Sequence, residues 1–442
     1  MVTDELLLEQ ALDRAAAGGA RQAEVFFAEG ASDSVDFEAN RLQGIDSSSS
    51  RGLGIRVLVE GRLGFSSTSI LDRVEDAVDA ALDTARLTEV EKPGFDLPAG
   101  EPIEADISDP AVAGIGVDEL MEFGRKAVDR LRPLADGVLA GAGASRWTSH
   151  WEIANSAGLR RSCRKSGWQF HAAAQRVEGT SILWCYDGSA SMHRDVDVDE
   201  AIETTAQKLR QSLKEGVLPA GRHPVVLTPA ALSSLLGSLR LGIGARAIYR
   251  KTSPLTGRLG EQVLSQLLTI HDDIRPEAGM AGAPFDDEGI AAARLTVLQA
   301  GVLETYLADL RNASRLGIQP GRASRAGYAS APFPGSRNWL VEPGDAPLAE
   351  LLAQAAGGLI VDSLMGMHGS NLVNGDFSAN VGLGFAIGPG GETLYRVKDA
   401  AIAGNVYELL GARLQALSAE RKWGYSGSEL MPWALVEGVP IA

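Results

Sequence analysis

The stretch FSANVGLGFAIGPGGETLYRV, residues 377–397, decides the fold class. Phe377 to Ile387 is rich in the branched and aromatic residues that suit a pleated surface, and Thr393 to Val397 repeats that content. Between them stands Gly388-Pro389-Gly390-Gly391, which gives the backbone the freedom of a turn and interrupts any helix. The segment therefore predicts a β-hairpin. Arg294 to Leu298 and Val302 to Leu307, flanking Gln299-Ala300-Gly301, predict another. Helices are expected around Pro347 to Ala356 and Asn405 to Ala416, and also after a strand at Val225 to Leu227, where Thr228 is a good N-cap and Pro229 suits the first helical position. With a terminal strand near Trp433 to Val436, residues 221–442 predict a large, mainly antiparallel β-rich domain with a few helices.

Upstream of the boundary at Gly216 to Pro224 the pattern is α+β. Apolar residues at helical spacing predict a first helix over residues 4–17, ended by Gly18 and Gly19. Ala23 to Ala28, Ser34 to Glu38, Gly54 to Val59 and Leu63 to Ser66 predict strands, the last two joined by a turn at Glu60-Gly61, and Leu71 to Arg86 predicts a helix. Pro93, Pro98, Pro102 and Pro110 mark an extended connector with no packed element. The pattern then restarts: a helix over Val117 to Leu131, strands at Gly137 to Ser145, His150 to Asn155, Trp168 to Val177 and Ser181 to Asp187, and a helix over Val198 to Leu213. Residues 1–220 thus predict an N-terminal α+β region of two similar units, about 1–91 and 111–215.

The 442 residues carry 41 Lys plus Arg against 57 Asp plus Glu, a net charge of −16. That sign disfavours nucleic acid and anionic membrane surfaces as main partners. Two cysteines, Cys163 and Cys185, are too few for a disulfide framework, which suits a reducing compartment. Asp4, Glu5 and Glu9 stand where a secretory signal would need positive charge, so a cytoplasmic protein is expected. No run approaches the ~18–20 apolar residues of a membrane span; Val381 to Ile387 is short and glycine-rich.

The common catalytic patterns are missing. There is no P-loop, no G-x-S-x-G elbow and no H-E-x-x-H, and the histidines at 150, 171, 193, 223, 271 and 368 are dispersed. Gly52-Leu53-Gly54 and Gly382-Leu383-Gly384 begin a dinucleotide pattern without completing it. His271-Asp272-Asp273 and Phe285-Asp286-Asp287-Glu288-Gly289 would serve a cation or acid–base chemistry if they converged; Asx turns explain them equally well. His368, in a polar glycine loop, suits a hydrogen-bonding role in a cleft or a structural one. Trp147, Trp151, Trp168 and Trp184 among arginines are read as core packing in preference to base stacking.

Four signatures in order carry a family resemblance: Pro284-Phe285-Asp286-Asp287-Glu288-Gly289; LQAGVLETYL at 298–307; Gly366-x-His368-x-x-Asn371-x-x-x-Gly375-Asp376-Phe377-Ser378; and Ala403-Gly404-Asn405. With GIRVLVEGRLGFSST at 54–68 and Asn155-Ser156-x-Gly158-Leu159, nearly the whole chain resembles the TldD/PmbA family of peptidases and peptidase homologues. One branch of that family holds zinc with H-E-x-x-x-H on a helix and a cysteine near the C-terminus. In this sequence the corresponding helix reads Leu236-Gly237-Ser238-Leu239-Arg240-Leu241-Gly242, so the lost metal-site positions are Gly237, Ser238 and Gly242, and no cysteine follows Cys185. Tyr249-Arg250-Lys251-Thr252-Ser253-Pro254-Leu255 is similar to the other branch, TldE or PmbA.

The resemblance implies a non-catalytic chain without cofactor, zinc being expected only in a TldD-like partner subunit. The pair would act on unfolded peptides, such as leader segments or an unfolded antitoxin, and the chain alone could form a homodimer. Asp286, Glu288, His368, Asn371 and Asp376 are the candidates for shaping the peptide groove or interface. Two alternatives stay open at this level. One is a peptidase with a relocated site using His271, Asp272, His368 or Asp376. The other is a non-proteolytic binding protein of the gyrase-modulator type.

Overall fold

A computed structural model describes residues 4–179, 181–367 and 371–442. Among these, two sheets dominate, one of seven strands and one of twelve. The first runs in the order β3-β2-β1-β5-β6-β4, with β7 also on β6. Its strands are β1 (Gln22–Glu38), β2 (Arg41–Val59), β3 (Arg62–Thr68), β4 (Ile103–Ile107), β5 (Val138–Asn155), β6 (Arg160–Glu178) and β7 (Ser181–Ser191). The helices are α1 (Asp4–Ala17), α2 (Val74–Leu87), α3 (Pro110–Ala113), α4 (Val117–Leu131), α5 (Val198–Ser212), α6 (Pro229–Gly242), α7 (Ala245–Tyr249), α8 (Leu310–Leu316), α9 (Leu348–Gln354) and α10 (Val406–Leu409).

The period-2 alternation of β1 makes the first sheet the middle layer of the molecule. Ala23, Val25 and Phe27 pack against α1 and α2, and Val35 and Phe37 pack on the same face within the core that α4 and α5 cover. Glu24 and Phe26 point the other way, where Phe26 joins Ile153, Leu159 and Cys163 of the same region and Phe285 of the C-terminal half. Both predicted N-terminal units therefore feed one sheet, joined where β1 pairs antiparallel with β5.

Several elements differ from the sequence reading for identifiable reasons. The two short strands at 23–28 and 34–38 are one strand, β1, because the intervening polar residues still ladder with Ser47 to Ser50 of β2. Those serines are exposed on both faces and so carry no hydrophobic signal. The β1–β2 turn uses Ala39 and Asn40 at positive φ, without the glycine that marks the Glu60-Gly61 turn. The proline-rich connector is not free of packed structure: β4 pairs parallel with β6, and Asp109 caps the short α3. The helix expected over Asn405 to Ala416 is only α10, after which Leu414–Trp423 is a strand paired with Glu429–Ile441. Leu409, Leu410 and Leu414 are core residues whose spacing imitates a helix.

The C-terminal sheet is mainly antiparallel, and both hairpins that set its class are present. Phe385 pairs with Arg396 across the Gly388 to Gly391 turn, where Gly388 N–H donates to the Glu392 carbonyl at 2.8 Å. Leu298 pairs with Leu303 across Ala300-Gly301. Strand Gly221–Leu227 leads into α6, whose Leu232, Leu235, Leu236 and Leu239 enter the main core with Trp339 and Phe377. No helix among the described residues is long and apolar enough to cross a membrane.

Candidate functional site

Thr228 accepts a hydrogen bond from the Ala231 N–H and Pro229 occupies the first turn, so α6 starts where its sequence dictates. With Leu232, Leu235, Leu236 and Leu239 buried, Ser233, Gly237, Arg240 and Leu241 form the outward face. Gly237 is open, with nothing within 4 Å of a would-be Cβ. Ser238 is buried and its Oγ has no partner, while a Cβ at Gly242 would stand 2.6 Å from the Tyr407 hydroxyl. The three positions thus face three surroundings and do not converge.

Besides apolar packing against Met431, Ala434 and Val436, an arginine joins α6 to the C-terminal segment. Arg240 Nη1 donates to Glu429 Oε1 at 2.9 Å, Nη2 donates to Ser233 Oγ at 3.1 Å, and the guanidinium lies 5.0 Å from the Trp339 ring centroid. Glu429 Oε2 accepts from Ser426 Oγ at 2.6 Å. A catalytic zinc takes three neutral-nitrogen, thiolate or carboxylate donors. Here two glycines, a serine and a fixed guanidinium stand instead, and the one carboxylate is already paired. These residues do not fit a zinc ion. Among the described residues, no three His, Cys, Asp or Glu side chains are grouped to hold a metal.

Asp286 and Glu288 come together, but in the seam between the two sheets. Asp286 Oδ1 accepts the N–H groups of Glu288 and Ile290, each at 3.0 Å, and Oδ2 accepts that of Ala323 at 2.9 Å. Glu288 pairs with Arg56 Nη1 at 2.5 Å and accepts the Leu310 N–H at 2.7 Å. Arg56 Nη2 reaches Glu24 at 2.7 Å, and Arg325 holds the other Glu24 oxygen. Burial pushes the Asp286 and Glu288 carboxyls upward, while the carboxylates raise Arg56 against the cost of its burial. The Arg56 guanidinium is thus clamped between two buried carboxylates, the charge-assisted geometry that gives strong hydrogen bonds.

The other expected residues lie elsewhere. Asn371 and Asp376 are exposed, and Asp376 Oδ1 accepts from Asn405 Nδ2 at 2.8 Å. His368 falls outside the described residues. His271 is held between Thr296 Oγ1 at 3.2 Å and Glu342 Oε1 at 2.9 Å. Asp272 is buried against Arg322 and the Arg337 N–H, and burial raises its carboxyl.

The sequence reading missed a cleft of about 410 Å³ between the two sheets, walled by Tyr186, Asp187, Lys208, Asp362, Trp423 and Tyr425. Lys422 pairs with Asp187 at 2.9 Å and Lys208 with Asp362 at 3.2 Å. Beside it, His171 Nδ1 lies 3.2 Å from the Tyr425 hydroxyl. Gly143 makes room: a Cβ there would stand 2.3 Å from the imidazole. Burial lowers His171 and raises Tyr425, so both are neutral hydrogen-bonding groups at pH 7. The sequence could not announce this pair, because the partners lie 254 residues apart. The cleft offers aromatic walls and paired charges.

Residues 220–442 match the PmbA/TldA metallopeptidase C-terminal domain, and residues 23–85 match domain 1 of the same group. The metalloprotease PmbA homolog of Haemophilus influenzae is 28% identical over 396 residues, covering 85% of this chain and 83% of its own. Metalloprotease PmbA of Escherichia coli O157:H7 is 26% identical over 423 residues, covering 91% and 89%. TldE from Thermococcus kodakarensis superposes with a TM-score of 0.89 at 22% identity, covering 99% of this chain and 100% of its own, which shows the shared fold. A Thermotoga maritima protein named as a modulator of DNA gyrase superposes at 0.88 with 25% identity, covering both chains completely.

Proposed function

Because the chain belongs to the PmbA/TldD metallopeptidase family, on its TldE-like side, we propose that it is the metal-free, non-catalytic subunit of a cytoplasmic peptidase whose zinc resides in a TldD-like partner. The observation that carries this reading is that α6 offers glycines, a buried serine and the Arg240–Glu429–Ser426 bridge in place of metal donors. A fixed positive charge there disfavours a divalent cation by direct repulsion. The pair would cleave unfolded polypeptide, such as leader segments or an unfolded antitoxin, with this chain contributing wall and binding surface from two domains that meet near residue 220.

In this reading the cleft by Tyr186 and Trp423 is the peptide-binding surface. Asp286 and Glu288 act indirectly, by fixing the seam between the sheets; Asn371 and Asp376 belong to the rim or the subunit interface. A relocated catalytic site gains no support from His271 and Asp272, whose side chains are already engaged. Co-purification tests the assignment: tagged chain should retain a zinc-bearing H-E-x-x-x-H relative through size exclusion, and the mixture alone should hydrolyse an unfolded peptide. Hydrolysis by this chain without the relative overturns it.

A further inference from the structure

Arg246 on α7 and Arg250 at its C-cap stand four residues apart, as do Arg311 and Arg315 on α8, and all four line one pocket of about 770 Å³. Like charges at this spacing destabilise short helices. Only part of the charge is answered. Arg311 and Arg315 share Glu91, whose two oxygens they take between them. The one carboxylate lining the pocket, Asp309, is buried and spent on capping α8. Arg246 and Arg250 are exposed and make no ion pair among the described residues. In a chain of net charge −16, this cluster of guanidinium groups runs against the overall sign.

The remaining wall is apolar. Phe333 is exposed, Pro332 and Pro334 flank it, and Tyr249 lies with its ring 4.6 Å from the Arg315 guanidinium carbon. At the floor, Arg315 Nε and Asn312 Oδ1 are a donor and an acceptor without partners. Paired guanidinium groups match carboxylates bidentately, while the proline and aromatic wall and the spare acceptor suit a polypeptide better than a bare phosphate. A long polyanion such as nucleic acid would meet the repulsion of the whole molecule once it left the pocket.

We propose that this pocket binds an acidic peptide segment, its side-chain carboxylates taken by Arg246 and Arg250. The proposal is independent of the zinc-bearing partner, because it is read on this chain alone. The test is fluorescence anisotropy of a labelled hexaglutamate peptide on the full chain at low and physiological salt, with hexaglutamine as the neutral control. The expected result is salt-sensitive binding of hexaglutamate alone, weakened at least tenfold in Arg246→Gln/Arg250→Gln and abolished in Arg246→Glu/Arg250→Glu, with unchanged far-UV circular dichroism. Equal binding of hexaglutamine, or undiminished binding by both variants, overturns it. So does displacement of the peptide by inorganic phosphate or a hexathymidylate at equal or lower concentration, which would make the site one for phosphates.

Discussion

Replacing Arg56 by methionine removes the guanidinium that ties the two halves together. Arg56 is 3% exposed, and it bridges Glu24 at 2.7 Å in the N-terminal sheet and Glu288 at 2.5 Å in the C-terminal half. Methionine fills much of the same volume, so the main loss is electrostatic: Glu288 is left buried without its cation, and Glu24 keeps only Arg325. Breaking a buried pair by removing one partner costs about 3–5 kcal/mol. That is a large part of the ~5–15 kcal/mol that holds an ordinary domain together. Urea unfolding followed by tryptophan fluorescence reads it, and the seven tryptophans report on both halves. Adding Glu288→Gln to Arg56→Met should recover at least ~2 kcal/mol, because the stranded charge is gone while an acceptor for the Leu310 N–H remains. A loss below ~1 kcal/mol for Arg56→Met, or additive losses in the double variant, would refute the clamp.

Other outcomes follow from the same physics. Lys165 is 7% exposed, donates to the carbonyls of Met280 and Gly282 at 2.6 and 2.7 Å, and is lowered to about 8 by burial. Its folded value lies below its unfolded one, so its penalty is absent above pH ~10.4 and grows as pH falls toward 8; the stability of wild type relative to Lys165→Met should rise by up to ~3 kcal/mol between pH 7.5 and 10.5 in urea titrations. Arg240→Ala should cost about 1–3 kcal/mol by the same assay, from the lost pairing with Glu429 and stacking on Trp339, with Arg240→Lys recovering only part; no loss would mean the bridge is incidental. Gly54→Ala should destabilise by about 1–3 kcal/mol or more, since its Cβ would stand 2.2 Å from the Tyr328 carbonyl; a neutral result would show that the 328 segment moves freely away from β2.

Local chemistry was legible and long-range pairing was not. The turns at Gly388 to Gly391 and Glu60-Gly61, the Thr228-Pro229 start of α6 and the leucine spacing inside it are written in neighbouring residues, and each stands where expected. Ser47 to Ser50 carry no apolar face, so only their ladder with β1 reveals a strand. Asp286 and Glu288 stood out as an acidic cluster, yet their role depends on Arg56, 232 residues away from Glu288. Arg240 lies between the two glycines that replace the family's histidines; its meaning comes from Glu429, 189 residues on. The signal for both was a cation in an otherwise apolar run, which demands a partner without naming it.

The central claim is that this chain lends binding surface to a cut made by another subunit's zinc. Metal analysis of the purified chain by mass spectrometry, paired with hydrolysis of an unfolded peptide before and after adding a zinc-bearing relative, tests it most directly. A metal-free subunit predicts no stoichiometric zinc and no hydrolysis alone, with chelator-sensitive cleavage appearing only on mixing. One zinc per chain, together with chelator-sensitive cleavage by the isolated chain, would contradict it.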